Sequence, residues 1–198
     1  MDKSNSIKYF NQQAAQWDSS PRVDTPEELQ EMADRIAIKK DAWVVDIGTG
    51  TGVFLPFILS KLNRDGLIIS VDFAIQMLLQ AQCKQFGNQV VFTCGEIENM
   101  YLQNEMFDAA ICFATFPHFH EKKSALENIF KLLKLGGKLY ICHTASRERI
   151  NQIHKQIPEL LDHLIPSPEE MGKMMRDAGF SAINIEEEDN SYLVKCVK

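Results

Sequence analysis

Short apolar runs alternate with stretches of helical periodicity through most of the chain. The runs rich in β-branched residues predict five strands, at 43–47, 67–71, 90–93, 107–113 and 138–142. The helical patterns between them predict helices at 53–62, 74–86 and 121–135, the last ending at Gly136-Gly137. Strands that alternate with helices are typical of a parallel sheet covered on both faces. The pattern therefore predicts an α/β fold.

The last third of the chain follows a different pattern. Helices are predicted over 147–157 and 169–178, and two alternating segments, 183–187 and 192–197, predict strands joined by a turn. Such a hairpin adds one antiparallel strand to the parallel sheet. The first 40 residues are polar, so we expect residues 1–40 to form an N-terminal helical cover within a single domain spanning 1–198.

Charge, hydropathy and cysteine content narrow the function classes. The net charge is −6 and no basic stripe is visible, so we expect no nucleic-acid partner. No run approaches the roughly 18 apolar residues of a membrane span, and the N-terminal segment lacks the apolar core of a signal peptide. The five cysteines show no metal-type spacing. We therefore expect a cytoplasmic protein with no membrane partner and no metal site.

The most informative motif is a glycine-rich segment directly after the first predicted strand. Glycines at positions 48, 50 and 52 allow a tight turn and the close approach of a ligand. The dinucleotide fingerprint G-x-G-x-x-G requires a different spacing, because its third glycine would fall on Val53. Asp46 precedes the first glycine by two residues, and its carboxylate is suited to the ammonium group of a sulfonium amino acid.

Two further acidic positions follow the second and third strands. At the end of the second strand, Asp72 is placed to accept both hydroxyls of a ribose, or alternatively to cap the following helix. Glu96 is a candidate acceptor of an adenine amino group, with the backbone N–H of Ile97 donating to the ring. Glu98 would take the place of Glu96 if the register were shifted.

In this order, the motifs resemble those of class I S-adenosylmethionine-dependent methyltransferases of the small-molecule group, which includes methyltransferase type 11 and UbiE-like enzymes. The resemblance is carried by 46–52, 71–73, 96–97, 107–111, 132–138 and, near the N-terminus, 9–18. It implies a Rossmann-like three-layer sandwich with a seven-stranded, mostly parallel sheet. The implied strand order is 3-2-1-4-5-7-6, with strand 7 antiparallel.

The resemblance also implies S-adenosyl-L-methionine as cofactor and S-adenosyl-L-homocysteine as product. We expect the cofactor to contact Asp46, Gly48, Thr49, Gly50, Gly52, Asp72, Phe73, Met77, Glu96, Ile97 and Phe113. In many members a helix near the N-terminus closes over the cofactor. The corresponding lid residues here are Tyr9, Phe10 and Trp17, which alternatively are plain core residues.

Candidate acceptor-side residues follow the fourth and fifth strands. His118 and His143 are candidate general bases, because an imidazole titrates near neutral pH. Phe116 is a candidate wall of the acceptor site. His143, Arg147 and Asn151 are spaced by four and would share a face if the helix began early, so Arg147 is a candidate ligand for an anionic substrate. The alternatives are an exposed histidine and a helix surface with one internal salt bridge.

The function predicted is in-line transfer of the methyl group to a small-molecule acceptor. The segment after the fourth strand lacks the (D/N)-P-P-(Y/F) motif of enzymes that methylate amino groups of adenine, cytosine or glutamine. The acceptor atom stays open between O, N, S and C, and the protein is expected to be a monomer or homodimer. Two alternatives remain at this point: a non-catalytic module that binds the cofactor, and an NAD(P)-dependent oxidoreductase.

Overall fold

A seven-stranded sheet forms the centre of the computed structural model, which describes residues 3–20 and 24–198. Its strands are β1 (Trp43–Ile47), β2 (Leu67–Asp72), β3 (Val90–Cys94), β4 (Phe107–Phe113), β5 (Leu133–His143), β6 (Ser181–Glu188) and β7 (Ser191–Val197). The order is β3-β2-β1-β4-β5-β7-β6. β1 to β5 pair in parallel, whereas β7 runs antiparallel to both β5 and β6. The predicted fold class, strand order and antiparallel strand are confirmed.

Helices flank the sheet, and two of them begin at a capping box. They are α1 (Lys3–Gln13), α2 (Pro26–Asp34), α3 (Leu55–Leu59), α4 (Ile75–Cys83), α5 (Lys122–Leu132), α6 (Arg147–His154) and α7 (Pro168–Asp177), with 3-10 helices at Ala14–Ser19, Phe116–His118 and Pro158–Leu160. Thr25 with Glu28 forms a capping box before α2, and Ser167 with Glu170 forms one before α7. Each box satisfies backbone N–H groups that lack a partner within the helix.

The sheet buries apolar side chains on both faces, which explains the continuous apolar runs in its strands. Val44 and Val45 are neighbours in β1 and face opposite sides, so they belong to different core clusters. On the Val44 side the helices contribute Leu29, Met32, Leu55 and Ile58 from α2 and α3. On the other side they contribute Leu126, Ile129, Met171 and Met175 from α5 and α7.

The N-terminal region divides between two places. Helix α1 and the 3-10 helix after it pack on α4 through a third apolar cluster, which contains Phe10, Ala14, Ala74, Met77 and Leu160. Helix α2 instead packs on one face of the sheet beside α3. Within the described residues of 1–40, therefore, only the part before residue 20 lies over the carboxyl ends of β1 to β4.

The start of β5 differs from the prediction. Helix α5 ends at Leu132, and Leu133 already pairs with Phe107 of β4. Leu133 is fully buried, and the Lys134 ammonium lies 2.8 Å from the Asp108 carboxylate. Tertiary pairing therefore ends the helix three residues before the predicted stop, and Gly136, with φ +77°, lies within the strand where the β4–β5 register shifts.

Candidate active site

The glycine-rich loop after β1 lies at the carboxyl edge of the sheet. Gly48, Gly50 and Gly52 have φ angles of +70°, +55° and +77°, a conformation that residues with a Cβ rarely adopt. A Cβ on Gly48 would lie 1.9 Å from Oγ1 of Thr115, in the segment that follows β4. Glycine at position 48 is therefore required both by its backbone angle and by close packing.

The same loop is joined to β2 by hydrogen bonds. The N–H groups of Gly48 and Thr49 both donate to the Val71 carbonyl, at 2.7 and 3.1 Å. Asp72 accepts from Gly50 N through Oδ2 and from Ala74 N through Oδ1, each at 2.8 Å. The Asp72 carboxylate thus bridges the glycine loop and the start of α4. Each of its oxygens has a second lone pair with which to accept from a ligand.

Two buried carboxyl groups lie beside this loop. Burial raises the pKa of Asp46 to about 7; the Thr49 hydroxyl lowers it and the Asp72 charge raises it by smaller amounts. Burial also raises the pKa of Asp72 to about 6, opposed by hydrogen bonds from the backbone N–H groups of Ala74 and Gly50. Both groups therefore titrate near neutral pH, because the site is poorly solvated.

A cavity that is partly open to solvent lies beside these residues and encloses about 480 Å³ of space, including the open part. Its lining comes from the ends of β1 to β4 and from α1, and the predicted residues in it are Gly48, Asp72, Phe73, Glu96, Ile97 and His118. Glu98 also lines it, but Oε1 of Glu98 accepts from the His120 N–H at 2.8 Å. The structure thus brings Asp72 and Glu96 to one cavity, whereas Glu98 accepts a hydrogen bond from the backbone.

Other predicted cofactor residues lie behind the wall of the cavity. Thr49 is buried in the glycine loop. Phe113 stacks on Phe54 with ring centroids 4.3 Å apart, and Met77 packs in the cluster that contains Phe10. Phe116, predicted on the acceptor side, is fully buried in the core against Phe119. Its prediction as an acceptor wall is wrong for this arrangement, because the core already covers its ring.

The predicted lid residues pack together over the site. The Phe10 ring lies 5.7 Å from that of Trp17, 5.2 Å from that of Tyr9 and 5.6 Å from that of Phe73, centroid to centroid. Three polar contacts fasten this segment to the rest of the molecule: Gln76 N donates to Asn11 at 2.9 Å, Thr51 Oγ1 donates to Asp18 at 2.5 Å, and Lys84 pairs with Asp18 at 2.6 Å.

Two further histidines lie around His118, which lines the cavity. Nδ1 of His118 lies 2.9 Å from Nδ1 of His163, and Nε2 of His163 lies 3.3 Å from the Ser6 hydroxyl. His154 donates from Nδ1 to the His163 carbonyl. Burial is the largest cause that lowers the pKa of His163, to about 4, and the pKa of His118, to well below its usual value. Both rings are therefore neutral at neutral pH.

His143 and Tyr192 face each other across β5 and β7. They are register partners, their ring centroids are 6.2 Å apart, and both side chains are buried. Neither His143 Nε2 nor the Tyr192 hydroxyl has a hydrogen-bond partner among the described residues. Burial lowers the pKa of His143 to about 3. Such unsatisfied polar atoms are costly and mark places where a ligand or water would be held.

The predicted shared face of His143, Arg147 and Asn151 is wrong. Ser146 caps α6 by accepting from Arg149 N at 3.4 Å, so the helix begins at Arg147 and His143 stays in β5. Arg147 pairs with Glu148 and Glu187, each at 2.5 Å. Asn151 bonds the backbone of Ile165 through both ends of its amide. The ion-paired helix surface is the interpretation that matches these contacts.

Several site residues carried no signal in the sequence. Thr115 follows Ala114, which has φ +51°, and its hydroxyl packs over Gly48. His163 and Ser6 lie in segments without a recognisable motif, and Tyr192 has the pattern of an ordinary strand residue. Over residues 3–20 and 24–198, no three His, Cys, Asp or Glu side chains are grouped so as to hold a metal ion. In the same residues, no helix has the length and apolarity needed to cross a membrane.

A sheet of this order, with its glycine loop and paired acids, defines the class of S-adenosylmethionine-dependent methyltransferases. A family model described as a methyltransferase domain matches residues 38–179. The chain therefore belongs to this methyltransferase domain family, which confirms the predicted class and its cofactor. A methyltransferase of this class from Thermotoga maritima has the same fold, with a TM-score of 0.75 at 22% identity over 100% of both chains.

Two relatives illustrate the range of similar sequences. The malonyl-[acyl-carrier protein] O-methyltransferase of Bacillus cereus is 34% identical over 56% of this chain. The demethylmenaquinone methyltransferase of Roseiflexus castenholzii is 28% identical over 70% of this chain. The chain spans 40% of the first relative and 68% of the second.

Proposed function

We propose that the chain catalyses transfer of the methyl group of S-adenosylmethionine to a small-molecule acceptor. One observation carries the proposal: Asp72, Glu96 and His118 line the same cavity. The first pair is suited to a nucleoside and the histidine to an acceptor that must lose a proton. Binding and proton removal are thus combined in one space.

The residues present fit the cofactor. The positive φ angles of the glycine loop let a ligand approach the backbone without a Cβ in the way. Above a pH of about 6 the Asp72 carboxylate is mostly ionised and accepts from ribose hydroxyls with its remaining lone pairs. Glu96 and the Ile97 N–H would hold the adenine edge, while Asp46 would stabilise the amino-acid end.

When bound, the cofactor supplies an electrophilic methyl group. The chain would contribute positioning, exclusion of water and acceptance of a proton. The rings of Phe10 and Phe73 pack together beside the cavity and limit access of water. His118 would serve as the general base, because its neutral imidazole lines the cavity.

A small acceptor is favoured by the partial cover of the site and by the charge of the chain. Helix α1 contributes Ser6 and Ile7 to the cavity wall, so part of the cavity is covered by the chain itself. The net charge of −6 disfavours nucleic acid. Among the relatives, demethylmenaquinone and phosphoethanolamine appear in the enzymes' names, which supports a small organic acceptor here.

Calorimetric titration tests the cofactor part of the proposal. S-adenosylmethionine should bind the wild-type chain, NADH should give no heat, and Asp72→Asn should weaken S-adenosylmethionine binding roughly 10- to 100-fold, because a charge-assisted contact is lost. Asp65→Asn, in an exposed turn, is the matched control and should bind as the wild type does. Absence of S-adenosylmethionine binding by the wild-type chain would refute the proposal.

Turnover tests the catalytic part. The protein is incubated with S-adenosylmethionine and a panel of small hydroxyl, amine, thiol and carbon acceptors, and S-adenosylhomocysteine is quantified. The proposal predicts formation of this product with at least one acceptor. Binding of S-adenosylmethionine without product across the panel would instead support a non-catalytic module.

A further inference from the structure

We propose that His163 fixes the proton of His118 on Nδ1, so that the unprotonated Nε2 of His118 is the atom that takes the acceptor's proton. The inference rests on the proposed function and names a positioning residue for it. His163 lies 45 residues from His118 in the chain and touches it through a single contact.

The hydrogen bond between the two rings holds a single proton between their Nδ1 atoms. The two Nδ1 atoms are 2.9 Å apart, so one of them donates and the other accepts. If His118 donates, its Nε2 is unprotonated and His163 Nδ1 is the acceptor. The proton of His163 then lies on Nε2, which is 3.3 Å from the Ser6 hydroxyl. The opposite arrangement would leave His118 Nε2 protonated and unable to act as a base.

The segment that carries His163 is held rigidly. A carbonyl oxygen can only accept, so His154 must carry a proton on Nδ1 to bond the His163 carbonyl. Two residues further on, Ile165 is bonded at both its N–H and its carbonyl by the Asn151 amide. His163 N donates to the Leu160 carbonyl at 2.9 Å. The backbone at His163 is therefore held by three neighbouring anchors, and the ring itself is held by its contacts with His118 and Ser6.

The surroundings disfavour a positive charge on either ring. The charged and titratable groups that face His118 are His154, His163, His143 and Lys122. Those that face His163 are Lys122, His154, His120 and Asp162. Burial and the Lys122 ammonium, which donates to the Pro117 and Phe119 carbonyls, both oppose protonation. A proton taken by His118 has to be passed on rather than kept.

The proton balance closes along this path. As the acceptor heteroatom uses its electron pair to bond the methyl carbon, sulfur keeps the pair of the broken bond and the acceptor proton moves to His118 Nε2. The Nδ1 proton of His118 stays on the hydrogen bond to His163, and the protonated ring releases its Nε2 proton to water when the product leaves, which restores the starting tautomer. One proton is released for each methyl group, which selects acceptors that still carry a proton, such as hydroxyls and amines.

Nitrogen NMR of the ring tautomers tests the inference without knowledge of the acceptor. The protein is labelled with ¹⁵N-histidine and observed near neutral pH with S-adenosylhomocysteine as the added probe. The expected wild-type result is a protonated Nδ1 and a bare Nε2 on His118. A protonated Nε2 on His118 would overturn the inference, whereas the proposed function would stand as long as the cofactor binds.

Two variants at position 163 separate positioning from packing. His163→Asn places an amide oxygen near the former Nδ1 and should keep the proton of His118 on Nδ1. His163→Phe removes the acceptor while filling the space, and should shift His118 toward the Nε2 tautomer. Ser6→Ala is the matched control, because it leaves the Nδ1–Nδ1 contact intact and should not change the His118 tautomer. An unchanged tautomer in His163→Phe would contradict the assignment.

Discussion

The two ends of the cavity are built in different ways. Apart from Glu96 and Ile97, the cofactor end is formed by the glycine loop and Asp72, within one strand–helix–strand unit, and backbone N–H groups are the donors there. The acceptor end is formed by side chains from distant segments, among them Ser6, His118 and His163. A local motif therefore encodes the first end, whereas the second exists only after the chain has folded.

Burial shifts the pKa of a carboxyl group and the pKa of an imidazole in opposite directions. It raises the pKa of Asp46 to about 7 and lowers the pKa of His143 to about 3. In both cases the uncharged form is favoured, since little water reaches either group. The contrast teaches that burial favours the uncharged form of an acid and of a base alike, and three sets of variants can break or sharpen it.

Gly48→Ala should have the largest effect, because position 48 is where the two ends touch. The new Cβ would lie 1.9 Å from Oγ1 of Thr115, whose carbonyl accepts from His118 N at 2.8 Å. We expect a loss of about 3 kcal/mol or more in unfolding free energy, from overpacking and backbone strain together. Urea unfolding of the variant and of the wild type measures this loss.

Gly136→Ala is the control for backbone strain alone. Gly136 has φ +77°, yet a Cβ there would meet nothing within 4 Å. We expect a cost of about 1 kcal/mol. Equal losses in the two variants would show that contact with Thr115 is unimportant, and the two ends would then be independent.

Asp46→Asn should stabilise the protein more at higher pH. Below pH 3.8 both folded and unfolded states are protonated at this position, and between 3.8 and about 7 only the unfolded state ionises, so the wild type loses stability as pH rises. We expect the gain from Asn to be about 2–3 kcal/mol larger at pH 8 than at pH 5. Urea unfolding at the two pH values measures it, and an equal gain at both would contradict it.

His143→Gln should show the opposite dependence. Above pH 6.5 the ring is neutral in both states, and as pH falls toward 3 only the unfolded state gains a proton, so the wild type loses stability on the acid side. The variant should gain about 2 kcal/mol relative to the wild type at pH 5 compared with pH 8. The same dependence in both variants would break the contrast between the two ends.

Tyr192→Phe should have the smallest effect. The Tyr192 hydroxyl is buried with no partner among the described residues, so its removal should be neutral or stabilise the fold by up to about 1 kcal/mol. Tyr140→Phe is the matched control, because the Tyr140 hydroxyl bonds both the N–H and the carbonyl of Ala37 and its loss should cost about 1–2 kcal/mol. Thermal unfolding compares the two, and a similar cost in both would show that Tyr192 has a partner.

The difference between the two ends also explains which features of the fold and the site could be predicted from the sequence. β1 was predicted with its observed bounds, because four of its five residues are apolar and glycines follow it directly. The onset of β5 at Leu133 depends on pairing with Phe107, which the local pattern does not show. Ser146 was a readable capping signal that would have separated His143 from α6. No local signal identified His163, whose role depends on packing against α1.

The fastening of the N-terminal segment has a kinetic consequence. Asp18 contacts both Thr51 in the glycine loop and Lys84 just after α4, so it ties the segment to two sides of the cofactor end. If the spent cofactor leaves past this segment, both ties have to break first. We therefore expect the dwell time of the product, rather than the speed of the chemical step, to set the ceiling on turnover.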